Sequence, residues 1–186
     1  VIGAFFDACE LGVIDRLPRL YTVQTRGGWP LKRAHDRVSD RLRSRLGWTG
    51  GPLDLADPSA RAELAYVARH RSEFMWPWEE EPRSIAGGSL DDETYDWLAV
   101  VRGMLASGGR PIVVDEDTLG EANDLARART GIDVDHTGTA GLAGLLELIG
   151  NGNLRADETV AVLFTGVRRV DEPPGATSRP AERRSP

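Results

Sequence analysis

The sequence predicts an α/β fold with a mostly parallel sheet and helices on both of its faces. Short segments rich in β-branched residues alternate along the chain with segments of helical length and periodicity. This alternation is typical of βαβ units, whose strands lie parallel. The 186 residues, 40% of them apolar and 28% charged, have the composition of a globular domain. In such a sheet we expect ligands to bind beyond the carboxyl ends of the strands.

The first part of the chain is predicted to be mainly helical. Residues 1–11 form an apolar helix that begins with no capping residue, so we expect the chain to be an incomplete fragment of a larger, two-domain fold. Gly27-Gly28 precedes the second helix, and Pro30 occupies a first-turn position that tolerates proline. In the third helix we expect Leu64, Val67 and Ala68 to face inward. The predicted elements are helices over 1–11, 30–46 and 58–74, a turn over 12–18 and a strand over 20–24.

The second part is predicted to alternate strictly between helices and strands. Residues 75–89 are aromatic, acidic and glycine-bearing without a sustained period, which indicates a loop. In the helix that follows, Tyr95, Leu98 and Val101 are expected to face inward, and Gly108-Gly109 ends it. The predicted elements are helices over 91–107, 118–129 and 139–149 and strands over 110–114, 132–135 and 159–164. We assign residues 1–169 to the folded unit and residues 170–186, rich in Pro and Arg, to a disordered tail.

Composition excludes several classes of function. The net charge of −6 and the absence of interleaved basic and aromatic residues argue against nucleic acid as a partner. The single cysteine, Cys9, rules out an internal disulfide and suits the reducing cytoplasm. No apolar run approaches the roughly 20 residues of a membrane span, so we expect no membrane partner. The histidines His35, His70 and His136 are scattered, and we expect no metal site.

Residues 131–146 are the most informative stretch of the sequence. A short β-branched segment turns through His136-Thr137-Gly138 into a helix made almost wholly of small and apolar residues. A hydroxyl at the start of a helix can cap free N–H groups or reach a ligand, and a helix of small residues can lie close to a sheet or a flat ring. The residues alone leave both roles open for Thr137, and capping is the commoner one.

Four segments resemble, in their order, the second half of one superfamily of pyridoxal-phosphate enzymes. The segments are residues 11–24 with Pro30-Leu31, residues 84–89 (Ser-Ile-Ala-Gly-Gly-Ser), residues 131–146, and residues 162–166 (Val-Leu-Phe-Thr-Gly). Together they resemble the fold type II enzymes that include threonine synthase, threonine dehydratase and the tryptophan synthase β-subunit. The resemblance extends over residues 1–169.

The resemblance implies a cofactor, a substrate class and a set of binding residues. The cofactor would be pyridoxal 5′-phosphate, and the substrate a small amino acid with a leaving group at its β or γ carbon, as in lyases and synthases of amino-acid metabolism. The Thr137 hydroxyl would bind the pyridine nitrogen, Gly138 would let the backbone pass the ring, and Ala86 and Gly87 would line the ring face or substrate side. A neutral hydroxyl does not enforce a protonated ring nitrogen, which suits elimination or replacement at these carbons.

The family's Schiff-base lysine and glycine-rich phosphate loop would both lie upstream of this chain. Lys32 is the only lysine in the sequence, and it falls in a predicted helix where the family has no catalytic residue. We therefore assign no catalytic residue here and expect the chain to be inactive alone. The chain could pair with an N-terminal half of the same enzyme or form a homodimer. The alternatives are a non-catalytic, degenerate or split-protein module, and an unrelated α/β nucleotide-binding domain.

Overall fold

The computed structural model describes residues 1–155 and 157–168. The tail predicted over 170–186, and the domain boundary placed at 169, lie outside the described residues. Two short 3-10 turns, Arg71–Glu73 and Gly87–Ser89, accompany the main elements. In chain order these elements are α1 (Ile2–Glu10), β1 (Thr22–Thr25), α2 (Pro30–Leu46), α3 (Pro58–Arg69), α4 (Trp97–Ser107), β2 (Pro111–Val114), α5 (Glu116–Thr130) and α6 (His136–Gly150).

The sheet consists of β1 and β2, which run parallel. Alternate residues of β1 point to opposite faces, as the pleat requires. On one face Val23 lies against α6, where a Cβ built on Gly144 would come within 2.4 Å of its side chain. On the other face the Thr22 hydroxyl reaches Met104 of α4 at 3.5 Å, and the Gln24 side chain accepts a hydrogen bond from the backbone of α2. The predicted parallel α/β fold with helices on both faces is confirmed.

Two hydrophobic cores flank this sheet. The first forms among α2, α3 and α4, and the second lies between the sheet, α5 and α6. Ala86, in the long loop before α4, is fully buried in the second core. A loop residue that is sealed into a core holds its neighbours at a fixed place beside the sheet. None of the helices within residues 1–155 and 157–168 is long and apolar enough to cross a membrane.

Two of the predicted strands are wrong. Residues 132–135 and 159–164 lie within the described part of the chain and join no ladder there. One backbone hydrogen bond, from Arg168 to Asp133, connects the stretches of chain that contain them. Ile132 and Leu163 are more than half exposed. β-branched composition predicts a strand only where a neighbouring strand pairs with it, and these segments have no such neighbour among the described residues.

The predicted helix bounds hold within two residues except at three ends. One is the start of α6, which begins at His136 rather than at residue 139, so that the predicted turn over residues 136–138 is the first turn of the helix. The bounds of α2 match, but α4 begins at Trp97 rather than at residue 91, so Tyr95 precedes it and is 96% exposed instead of facing inward. The predicted helix over 58–74 ends at Arg69. Ala68 is exposed, because the buried stripe of α3 consists of Ala60, Leu64 and Val67 at helical spacing.

Candidate functional site

Polar groups lie at the carboxyl ends of β1 and β2, the edge at which parallel sheets bind ligands. Arg26, which follows β1, donates its N–H to the carbonyl of Val114 at 2.9 Å. Its guanidinium lies 3.7 Å from the carboxylate of Asp115, the residue after β2. Hydrogen bonds from the Thr118 side chain and backbone hold the pKa of Asp115 below its usual range, with Arg26 contributing.

Residues 84–89 form a compact turn, the 84–89 loop, at this end of the sheet. Its centre is the buried Ala86, whose N–H donates to the Ser84 hydroxyl at 3.1 Å. The Ser89 hydroxyl and N–H both donate to the Ala86 carbonyl, at 2.7 and 2.9 Å. The loop therefore has a fixed shape before any ligand is considered.

Thr137 is not the cap of its helix. The helix α6 begins at His136, and Asp135 caps it by accepting the Gly138 N–H at 2.6 Å. The Thr137 hydroxyl oxygen instead accepts the N–H of Gly88 at 3.0 Å. The capping role considered for Thr137 is thus wrong, and its hydroxyl keeps a proton that it can donate elsewhere. The structure brings Thr137 and the 84–89 loop together, two segments that sequence similarity marked separately.

Asn123 supports the turn that carries Thr137. This α5 side chain is buried and donates to the carbonyl of Val134 at 2.9 Å and to the hydroxyl of Thr139 at 3.2 Å. The Thr139 hydroxyl lies in turn within reach of the carbonyls of Asp135 and His136. Nothing in the sequence pattern marks Asn123, because its partners become visible only when α5 packs on α6.

Gly138 lets two stretches of backbone approach each other. A Cβ built at Gly138 would lie 2.5 Å from the Val134 side chain and 2.6 Å from the Gly166 nitrogen. Gly166 in turn lies against the Asp135 carboxylate. The close approach made at Gly138 in this structure is therefore to protein backbone. Thr165, the residue before Gly166, is exposed.

The two glycines of the 84–89 loop differ in their surroundings. Gly87 is exposed, and a Cβ built on it meets nothing within 4 Å. A Cβ on Gly88 would lie 3.0 Å from both the methyl and the hydroxyl of Thr137. Neither glycine has a positive φ, so an L-residue at either position meets no backbone strain.

The side-chain contacts of Lys32 are to residues outside the 84–89 loop and the turn that carries Thr137. Lys32 is the third residue of α2, and its ammonium pairs with Asp36 one turn later. Burial raises the pKa of Asp36, but the neighbouring His35 and Lys32 outweigh it and hold that pKa below its usual range. These contacts fit the expected structural role of Lys32.

A cavity of about 370 Å³ opens beside the carboxyl end of β1. None of the four predicted cofactor residues, Ala86, Gly87, Thr137 and Gly138, lines it. Its lining mixes charges of both signs: Arg26, Gly27, Trp78, Glu79, Glu80, Glu81 and Arg83. In the part of the chain that the structure describes, no three His, Cys, Asp or Glu side chains come together in a way that could hold a metal ion.

Sequence similarity to a threonine synthase supports the superfamily of the resemblance. No protein-family model matches the chain. A threonine synthase from Methanosarcina acetivorans is 27% identical over 157 residues, which make up 84% of this chain. The chain spans about 30% of the length of that threonine synthase. A solved crystal structure of a T.th. threonine deaminase superposes with a TM-score of 0.46 at 22% identity, covering 91% of this chain and 56% of the deaminase.

Proposed function

We propose that this chain forms part of a pyridoxal-phosphate-dependent enzyme, threonine synthase-like or dehydratase-like, that acts on an amino acid with a leaving group at its β or γ carbon. The observation that carries the proposal is the hydrogen bond from Gly88 to Thr137, which joins segments 49 residues apart in the sequence. The resemblance assigns both segments to the cofactor site. The sequence similarity to threonine synthase supports the same class.

The residues present fit one side of the cofactor. The Thr137 oxygen is already occupied as an acceptor by Gly88, which leaves its O–H to donate to the pyridine nitrogen. Of the two loop residues, the exposed Gly87 would lie along the ring face, while the fully buried Ala86 would anchor the loop behind it. When bound, pyridoxal phosphate supplies an electron sink for the carbanion formed at the substrate's α carbon. The phosphate cradle and the covalent lysine would come from residues outside this chain.

The first prediction is that the isolated chain forms no specific covalent adduct with pyridoxal phosphate. Its single lysine is paired with Asp36 on α2, and no contact places it with Thr137 or the 84–89 loop. The measurement is borohydride reduction followed by mass analysis of the peptide that contains Lys32. A stoichiometric adduct at Lys32 together with turnover of serine or threonine would show the proposal to be wrong.

The second prediction concerns the ring-nitrogen contact. In the complete gene product, Thr137→Val should weaken cofactor retention by about 0.5 to 3 kcal/mol, the effect of losing one buried neutral hydrogen bond, and Thr137→Ser should be milder. The comparison variant is Thr165→Val, which removes an exposed hydroxyl from the residue before Gly166. Cofactor absorbance and turnover are measured for each variant. If only Thr165→Val weakens binding, the ring contact belongs to Thr165; if neither does, this turn lies outside the cofactor site.

The engagement of the only lysine of the chain with Asp36 is equally compatible with the alternative of a non-catalytic or split-protein module. The sequence upstream in the gene separates the two proposals. An enzyme requires a lysine and a glycine-rich turn there. A split protein requires a separate chain that carries both and copurifies with this one.

A further inference from the structure

Glu116 makes a second connection to the 84–89 loop. It is the first residue of α5, directly after β2 and the capping residue Asp115. One oxygen of its carboxylate accepts the N–H of Ile85 at 2.8 Å. The other oxygen is shielded from solvent and has no hydrogen-bond partner within the described part of the chain. This carboxylate therefore has one strong contact, and that contact is to the loop.

The loop is held on both sides of its buried centre. Ile85 and Gly88 flank the fully buried Ala86, and their N–H groups are bound by Glu116 and Thr137 respectively. These two acceptors stand in the first turns of different helices, α5 and α6. Because Ala86 is sealed into the core and the loop closes on itself through Ser89, the segment between the two contacts behaves as one unit. Release at one contact should then loosen the other.

We propose that Glu116 is a positioning residue, whose carboxylate fixes the 84–89 loop so that the Gly88 N–H orients the Thr137 hydroxyl. A hydrogen bond to an ionised carboxylate is roughly twice as strong as one between neutral groups, so the Ile85 contact is the stronger of the two. The Gly88 contact, between neutral groups, depends on it for its geometry. The relevance to pyridoxal phosphate rests on the proposed function, but the coupling within the loop does not.

A simpler role for Glu116 is that of an acid in the first turn of a helix, where negative charge is favourable. Asp117 shares that role and is exposed, with no contact to the loop among the hydrogen bonds of the described residues. Substituting each with alanine removes the same charge from the same helical turn. The pair therefore separates positioning of the loop from stabilisation of α5.

The experiment measures amide hydrogen exchange at Ile85 and Gly88 in the purified chain. We expect Glu116→Ala to lower the protection of both amides about tenfold, the effect of losing a hydrogen bond to a charged group. Asp117→Ala should leave both within about twofold of wild type, and Glu116→Gln, which keeps an acceptor oxygen, should restore part of the protection. Equal losses in the two alanine variants, or a loss confined to Ile85, would overturn the proposal.

A conservative variant keeps the test available if Glu116→Ala does not fold. Glu116→Asp retains the charge at the start of α5 but withdraws the carboxylate by one methylene, and it should also expose Gly88 to exchange. Unchanged protection of Gly88 in that variant would contradict the proposal.

Titration with pyridoxal phosphate then separates the positioning role of Glu116 from the proposed function. In the complete gene product the cofactor should increase protection at Ile85 and Gly88 of the wild type, and Glu116→Ala should bind it more weakly than Asp117→Ala does. If no variant binds the cofactor while the exchange coupling persists, the proposed function fails and the positioning role stands. If the cofactor binds equally to all variants and the exchange coupling is absent, the positioning role fails alone.

Discussion

Under the proposed function, replacing Gly87 with valine should lower the affinity for pyridoxal phosphate about tenfold or more, because the inserted side chain must be accommodated in a close contact with the ring. The protein itself offers no obstacle, since a Cβ at Gly87 meets nothing within 4 Å and φ is not positive. Thermal unfolding should therefore stay unchanged. The measurements are cofactor titration by absorbance and a melting curve of the same preparation.

Gly88→Ala is the companion variant, because its methyl would press on Thr137 at 3.0 Å. It should weaken cofactor binding through the displaced hydroxyl, whereas Gly87→Val acts on the ring face directly. If Gly87→Val retains full affinity and Gly88→Ala does not, the loop serves only to orient Thr137. If both retain full affinity, the 84–89 loop lies outside the cofactor site.

Much of the fold is encoded in local patterns that a single sequence displays. The α2 helix could be bounded at both ends because Pro30 and Gly47 mark its start and stop, and Gly47 does adopt the left-handed conformation that ends helices. The strands β1 and β2 were predictable from short apolar runs between turn signals. The resemblance of residues 84–89 and 131–146 to one superfamily located the two segments that meet in the structure.

What the sequence could not show depends on contacts between distant elements. The segment 132–135 has the composition of a strand, but pairing is a property of the neighbour as well as of the segment. Thr137 and Asp135 both precede an apolar helix, and sequence pattern alone does not decide which of them caps it. Glu116 resembles any acid in a first turn until its contact with Ile85 is known.

Gly138→Ala should destabilise the protein by about 3 kcal/mol, the upper part of the range for overpacking, which corresponds to roughly 6 to 12 °C in Tm for a chain of this size. The new methyl would approach the Val134 side chain at 2.5 Å and the Gly166 backbone at 2.6 Å, and the Gly166 backbone, unlike a side chain, cannot rotate away. Thermal unfolding followed by circular dichroism measures the change.

The matched control for this substitution is Gly150→Ala, at the other end of the same helix, where a Cβ meets nothing within 4 Å. That variant should have the stability of the wild type or slightly more, because alanine favours helix over glycine. Equal melting temperatures for the two variants would contradict the packing of Gly166 against the first turn of α6. If the Gly138→Ala protein is stable but loses pyridoxal phosphate, Gly138 lies beside the cofactor ring, as the resemblance implies. A destabilised one that still binds the cofactor would mean that glycine is required there by the protein's own backbone, with the ligand contact left to the Thr137 hydroxyl.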